Sequence, residues 1–322
     1  MRLHSLILLA GLSLLSSPLM AQPEKPVATP KVEPAAKIEA LPEPVITLLD
    51  AGAKEGRREL RFKLIEGATH TMVMSMKNRQ RPLNGRAASS SNWPAMVFTA
   101  AMKVEKVEKS GDAHCVAEFI DVTVADEAGV QPAVRDGTQK TAEMIKGTIA
   151  DIIMSDRGFY RSSKMRDVND VRLMRVMDSM NQGMQQAFPL LPQEPVGVGA
   201  KWQVVTTPNL GGIIQTITTT HTLTSLTADG ATFDLVIART AKEQDVESPA
   251  GPPGMSVKVK SLSGAGNGST EVLFTRPTPI ASTTTSKGTV DMTIKLGDDS
   301  SVHQLEMTFD VKIEGKPTAA TK

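Results

Sequence analysis

The stretch DVNDVRLMRVMDSMNQGMQQAFPLLPQEPVGVGAKW, residues 167–202, reads as an amphipathic helix, then a turn, then the opening of a strand. At the helical period Leu173, Val176, Met177, Met180, Met184, Ala187 and Phe188 fall on one stripe. Arg172, Arg175, Asp178, Ser179, Gln182 and Gln186 take the other side. Asp167 or Asn169 can cap the start, and Pro189 with Pro192 ends the helix. Nearly everything on either side has the pattern of strands. The expected fold is therefore mainly β: a curved antiparallel sheet, or half-barrel, of two pseudo-repeated halves, with one long helix at 168–188 packed on its concave face.

Outward from this stretch the chain divides into six parts. Residues 1–21 have the form of a secretory signal: Arg2, an apolar run Leu3–Leu15, and a small-residue exit at Ala21. The run is short for a membrane span, and no cysteine follows it as a lipid anchor would require. The expected location is periplasmic or extracellular, with no transmembrane segment in the mature chain. Residues 22–44 are rich in Pro and Ala and predict a disordered linker. An N-terminal β half spans 45–166, the central helix and crossover 167–200, and a C-terminal β half 201–315. A short disordered tail, 316–322, follows.

Within the first half the expected strands are VITLLD, RELRFKLIEG, THTMVMSMKN, MVFTAAMKVEKVEK and AHCVAEFIDVTV. Val107 is out of phase with Phe98, Ala100, Met102 and Val104, which predicts a bulge. Residues 126–137 read as a loop and TAEMIK as a short helix; TIADIIM and FYRSSK form a hairpin around Ser155–Gly158. The second half continues with KWQVVTT, IIQTITTTHTLTSL and TFDLVIAR, with loops at 247–254 and 263–269. The last two strands alternate cleanly: Val290, Met292, Ile294 and Leu296 face one way, as do Leu305, Met307, Phe309, Val311 and Ile313. Residues 96–119 match 213–236 in spacing, each a strand, a turn and a strand.

Composition excludes some functions. Loss of Arg2 with the signal brings 36 basic residues to 35, equal to the 35 acidic ones. A chain without net charge, and with 3% aromatics, has neither the field nor the stacking surfaces for nucleic acid. Cys115 is the one cysteine, so no intramolecular disulfide can form. His70, His114, His221 and His303 are far apart, and no zinc-ligand spacing occurs. His114 and Cys115 are adjacent on a strand and point to opposite faces, which excludes a catalytic pair between them. The expectation is a protein that is not an enzyme, with no metal site and no cofactor.

Methionine is the compositional excess. Of 17, Met1 and Met20 leave with the signal. Met72, Met74 and Met76 share one strand face with His70; Met177, Met180 and Met184 lie on the helix stripe near Phe188. These seven apolar side chains are the candidate ligand-binding set, lining a cavity for a lipid or another apolar ligand between sheet and helix. Core filling explains the same residues. Three further readings stay open: a cell-envelope scaffold or interaction module partnered by an envelope protein, Cu(I) held by thioethers, and a hydrolase bringing His221 or His303 to Cys115.

VITLLDAGAKEGRRELRFK, the MVMSM strand, the SDRG hairpin and LLPQEPVGVGAKW together resemble a family of secreted bacterial proteins of the planctomycete type, marked by an EPVGVGAxW signature. The resemblance runs from Val45 to about Ile313 and is most specific at Pro192–Trp202. It implies secretion but no activity and no site residues. In architecture it is similar to periplasmic lipoprotein-carrier proteins, which implies helices plugging a curved sheet around an apolar cavity. Read physically, Pro192 and Pro195 stiffen the helix exit, Gly197 and Gly199 permit positive φ, and Trp202 enters a strand. A Gly-x-Gly before a strand is a crossover, not a phosphate cradle.

Overall fold

The computed structural model describes residues 43–84, 91–168, 173, 177, 188–210, 212–246 and 255–316. The signal, nearly all of the linker and the end of the tail lie outside these residues. The first half contains β1 (Val45–Asp50), β2 (Thr69–Pro82), β3 (Ser91–Asn92), β4 (Met96–Val107), β5 (Ala113–Val124), helix α1 (Pro132–Ile145), β6 (Ile149–Met154) and β7 (Tyr160–Met165). In the second half are β8 (Lys201–Thr206), β9 (Asn209–Leu210), β10 (Ile213–Ile214), β11 (Thr216–Leu226), β12 (Gly230–Ala241), β13 (Gln244–Val246), β14 (Met255–Leu273), β15 (Ala281–Leu296) and β16 (Asp299–Gly315).

The main sheet is antiparallel and runs β1-β8-β11-β12-β14-β15-β16-β2-β4-β5-β6-β7, with β3 and β13 attached at its sides. Each half is a run of neighbouring strands, and β16 joins them by pairing with β2. β1 leaves the first half and pairs with β8 at the far edge. The two terminal strands are thus the most distant in order, yet Ile46 of β1 and Arg161 of β7 line the same cleft. Arg161 and Glu43, just before β1, form an ion pair of 3.1 Å across it. The sheet is therefore curved until its ends nearly meet, and it stays open at one seam.

Alternation puts one face of each strand inside. Met72 and Met74 of β2, Phe98 and Met102 of β4, Cys115 and Phe119 of β5, Trp202 of β8 and Phe233 of β12 belong to a single buried core. A second core, with Val259, Met292 and Met307 among its members, lies under β14, β15 and β16. The expected bulge is present as a register shift between Val104 and Lys106. The hairpin at Ser155–Gly158 is also in place.

Several elements differ from the sequence reading. The helix expected at TAEMIK begins nine residues earlier, at Pro132, and consumes half of the expected loop. Its buried residues are Val134, Thr138, Ala142 and Ile145, one face at helical spacing in which Thr138 and Ala142 take the middle positions. RELRFKLIEG forms no strand. It makes one bridge, Arg58 with Val196, and then bonds outward to separate partners: Phe62 N to Asp156 O at 2.7 Å and Lys63 N to Phe274 O at 2.7 Å. The segment has strand-like alternation, with Leu60 and Phe62 buried, because it lies in extended form against the core.

The glycine-rich run 263–269 is no loop; it is the middle of β14. A Cβ at Gly266 would stand 2.6 Å from Thr285 O, and one at Gly268 would stand 2.3 Å from Thr283 O. Glycine is used here for close approach of two paired backbones, not for turning. IIQTITTTHTLTSL is broken at Gln215 into β10 and β11. Of the long helix expected at 168–188, Leu173 and Met177 are helical and buried in the main core. Most of its other positions, Met180 and Met184 included, lie outside the described residues. Among the described residues no helix is long and apolar enough to cross a membrane.

Candidate functional site

The methionine face is built by β2 and the segments that pack over it. Met72 and Met74 are 2% and 1% exposed and Met177 is fully buried. All three share the main core with Phe188, and Met76 packs against it partly buried. Met96, Met102 and Met154 join the same core from β4 and β6. The structure thus brings together five of the seven candidate residues, Met72, Met74, Met76, Met177 and Phe188. His70 shares the face, buried, with no hydrogen-bond partner on either ring nitrogen. Burial lowers its pKa, and the neighbouring Arg276 charge lowers it further. That guanidinium also opposes a copper ion at His70, since two cations would share one apolar wall.

The candidate reactive groups go to separate places. Burial, aided by Glu105, pushes the Cys115 thiol up to about 12, so the nucleophilic thiolate is suppressed. His221 is buried against Trp202, their rings 5.3 Å apart and parallel to within 2°. Burial brings its pKa down to about 4, with the Thr219 backbone acting the other way. His303 bonds to the Ser301 hydroxyl at 2.8 Å. His114 stands 3.3 Å from Glu108 at the surface. Among the described residues no group of three or more His, Cys, Asp or Glu side chains could hold a metal ion.

The seam holds a cleft of about 230 Å³ that sequence reasoning did not find. Its walls are Glu43 and Ile46 beside β1, Arg157 and Arg161 of the β6–β7 hairpin, and Gln193 and Glu194 of the crossover. Its lining is mostly polar; among its apolar members Leu190 belongs to the main core, and Ile46 and Phe159 pack against that core.

The crossover that forms one wall is held by backbone. Leu191 N donates to Arg157 O at 3.0 Å, and Arg157 Nε donates back to Leu191 O at 2.8 Å. Trp202 Nε1 donates to Leu190 O at 2.8 Å, and Arg58 and Val196 exchange bonds of 3.0 and 2.9 Å. Gly199 has the expected positive φ, +88°. Gly197 does not: it is glycine because a Cβ would lie 2.1 Å from Ala53 O. The signature is thus the clasp tying the crossover to the chain after β1 and to the hairpin.

Charges on the cleft are mostly paired. Arg161 meets Glu43 and Asp112; Arg61, next to the cleft, meets Asp156 at 3.3 Å. Arg157 and Glu194 have opposite signs, and neither makes an ion pair with another described residue. Burial lowers the Arg157 pKa and the nearby Arg61 charge adds to the effect, while Asp156, Glu194 and Glu43 act the other way. The sequence signal for this site was faint: an arginine inside a four-residue turn, adjacent only in space to the crossover.

No family model and no curated protein matches the chain. Solved structures that it is similar to include OmpT, an outer membrane protein of Vibrio cholerae (trimer form), at 8% identity and a TM-score of 0.18, covering 78% of this chain and all of that one. A loop L8 deletion mutant of OmpT is similar at 5% identity, with the same coverage and TM-score. Likeness at that level transfers neither fold nor function.

Proposed function

We propose that this is a non-catalytic binding protein, secreted to the periplasm or the cell exterior, that holds a lipid or other apolar ligand against its methionine-lined concave face. The observation that carries the reading is the convergence of Met72, Met74, Met96, Met102, Met154 and Met177 in one core under an open sheet. Methionine is unbranched and polarisable, so a wall of it repacks around a guest at lower cost than branched or aromatic side chains. The open seam supplies a way in that a closed barrel would lack. Burial of Cys115 and His221, and the place of His303 on a different strand beside Ser301, speak for binding over catalysis.

The scaffold reading needs a long free strand edge. The two terminal strands are six residues each and border one cleft, which favours a ligand over strand addition. The test is native mass spectrometry of full-length protein recovered from a bacterial envelope fraction, with titration of a fluorescent fatty acid. Wild type should carry lipid, and Met74→Trp with Met177→Trp should lose it while still melting cooperatively. Wild type that is free of lipid and does not bind the fatty acid overturns the reading.

A further inference from the structure

We infer that the seam cleft is a binding site for a zwitterionic head group, an anion next to a primary ammonium as in phosphoethanolamine, with Arg157 holding the anion and Glu194 the ammonium. The inference rests on the lipid-binding reading and supplies its head-group specificity. Three features of the cleft carry it.

The first is charge. Of the ionic side chains on the cleft, Glu43 and Asp156 are already engaged by Arg161 and Arg61. Arg157 and Glu194 remain without an ion pair, one on the hairpin wall and one on the crossover wall, near enough to attract each other across the cleft. A ligand with a single charge would meet a complement and a repeller; a zwitterion meets two complements.

The second is preorganisation. Arg157 Nε is spent on Leu191 O, and its backbone N–H on the Ser155 hydroxyl at 3.3 Å. The guanidinium is thereby fixed, and its terminal nitrogens, which make no hydrogen bond to a described residue, are left to the cleft. A planar donor fork of this kind suits phosphate or carboxylate oxygens. Half-burial strengthens each such bond relative to water.

The third is size and lining. About 230 Å³ is below the ~300–1,000 Å³ of pockets that enclose a whole drug-sized molecule, so the cleft has room for a head group and not for a diacyl lipid. Ile46, Phe159 and Leu190 line it, Leu190 as a member of the core that contains the methionine face and the other two packed against that core. Head group at the seam and chains on the concave face is the arrangement that satisfies both surfaces.

The same chemistry occurs in a free small zwitterion, and the test separates the two sources. Full-length protein is incubated with vesicles of phosphatidylethanolamine, phosphatidylglycerol and phosphatidylcholine in equal amounts, and bound lipids are read by native mass spectrometry. Free phosphoethanolamine is titrated in parallel. Wild type should favour phosphatidylethanolamine by about tenfold, the scale of one charge-assisted pair. Glu194→Gln should erase that preference while keeping total lipid; Arg157→Gln should weaken all three phospholipids by about tenfold. Arg157→Lys, which keeps the charge but not the fork, should fall between, and melting curves of each variant check folding. Equal capture of the three lipids by wild type overturns the head-group site and leaves lipid binding standing. Failure of every lipid to bind removes both readings. Free phosphoethanolamine bound as tightly as the lipid overturns the lipid source and makes the cleft a small-molecule site.

Discussion

The long ladder and the seam are held by different means. β15 pairs with β14 and β16 over its whole length, so its backbone groups find partners in two neighbouring strands. Side chains on its inner face can then be small. Ser282, Thr284 and Ser286 are buried there, and Gly268 and Gly266 of β14 stand opposite Thr284 and Ser286. At the seam β1 and β7 each pair with one strand among the described residues. What closes that side is a few main-chain bonds, Leu191 to Arg157 and Arg58 with Val196, joined by side-chain donors: Trp202 to Leu190, Arg157 to Leu191, and Arg61 to Pro192 and Gln193. A sheet interior whose backbone is satisfied by its own ladder tolerates few changes. A seam held in part by side chains can accept a ligand.

The largest expected effect breaks the seam from the inside. Trp202 is fully buried, packs edge-on against Phe233 at 5.6 Å and holds Leu190 O. Trp202→Ala should cost about 4 kcal/mol in urea unfolding, from the cavity and from the carbonyl left without its donor. A loss below about 1 kcal/mol would mean that the crossover is not clasped through this indole.

Acid should act on the same side. The folded-state pKa of His221 is about 4, against an ordinary value of 6.5. Between those values the unfolded chain takes up a proton that the folded one refuses, so stability falls as pH falls from about 6.5 to about 4. The full difference is on the order of 3 kcal/mol at ~1.4 kcal/mol per unit. His221→Phe should flatten most of this slope in denaturant melts taken across that window. Burial lowers His70 and His303 as well, so a residual slope of the same sign should persist. An unchanged slope in the variant would show that His221 is reached by water in the folded state.

The smallest of the three tests the ladder. Gly268→Val places carbon against the Thr283 carbonyl and should cost about 2 kcal/mol by overpacking. Hydrogen exchange in β15 should accelerate while β1 and β7 are unaffected. Equal acceleration at the seam would show that the two regions open as one unit and that their separation is only geometric.

Local patterning carried most of the architecture. Two-residue alternation in β2, β4, β5, β8, β15 and β16 assigned their inner faces, because each has one buried side and the period leaves no choice. Methionines 72 and 74 were legible as interior for the same reason, and Met177 from the helical period of its stripe. Where a residue type serves two purposes, sequence misled. Glycine at 264–268 signals a turn, yet there it allows two strands to approach; Gly197 is small for contact, not for its φ. The start of α1 was hidden because its buried face includes Thr138 and Ala142 and the helix as a whole is polar. Only the tertiary structure decided the return of β1 to the far edge, the near-meeting with β7, and the cleft between them. Arg157, Glu194 and Glu43 come from three distant segments that no local interaction brings together. They meet because burial of the strands' inner faces curves the sheet until its ends converge, and curvature of that kind is a property of the whole sheet.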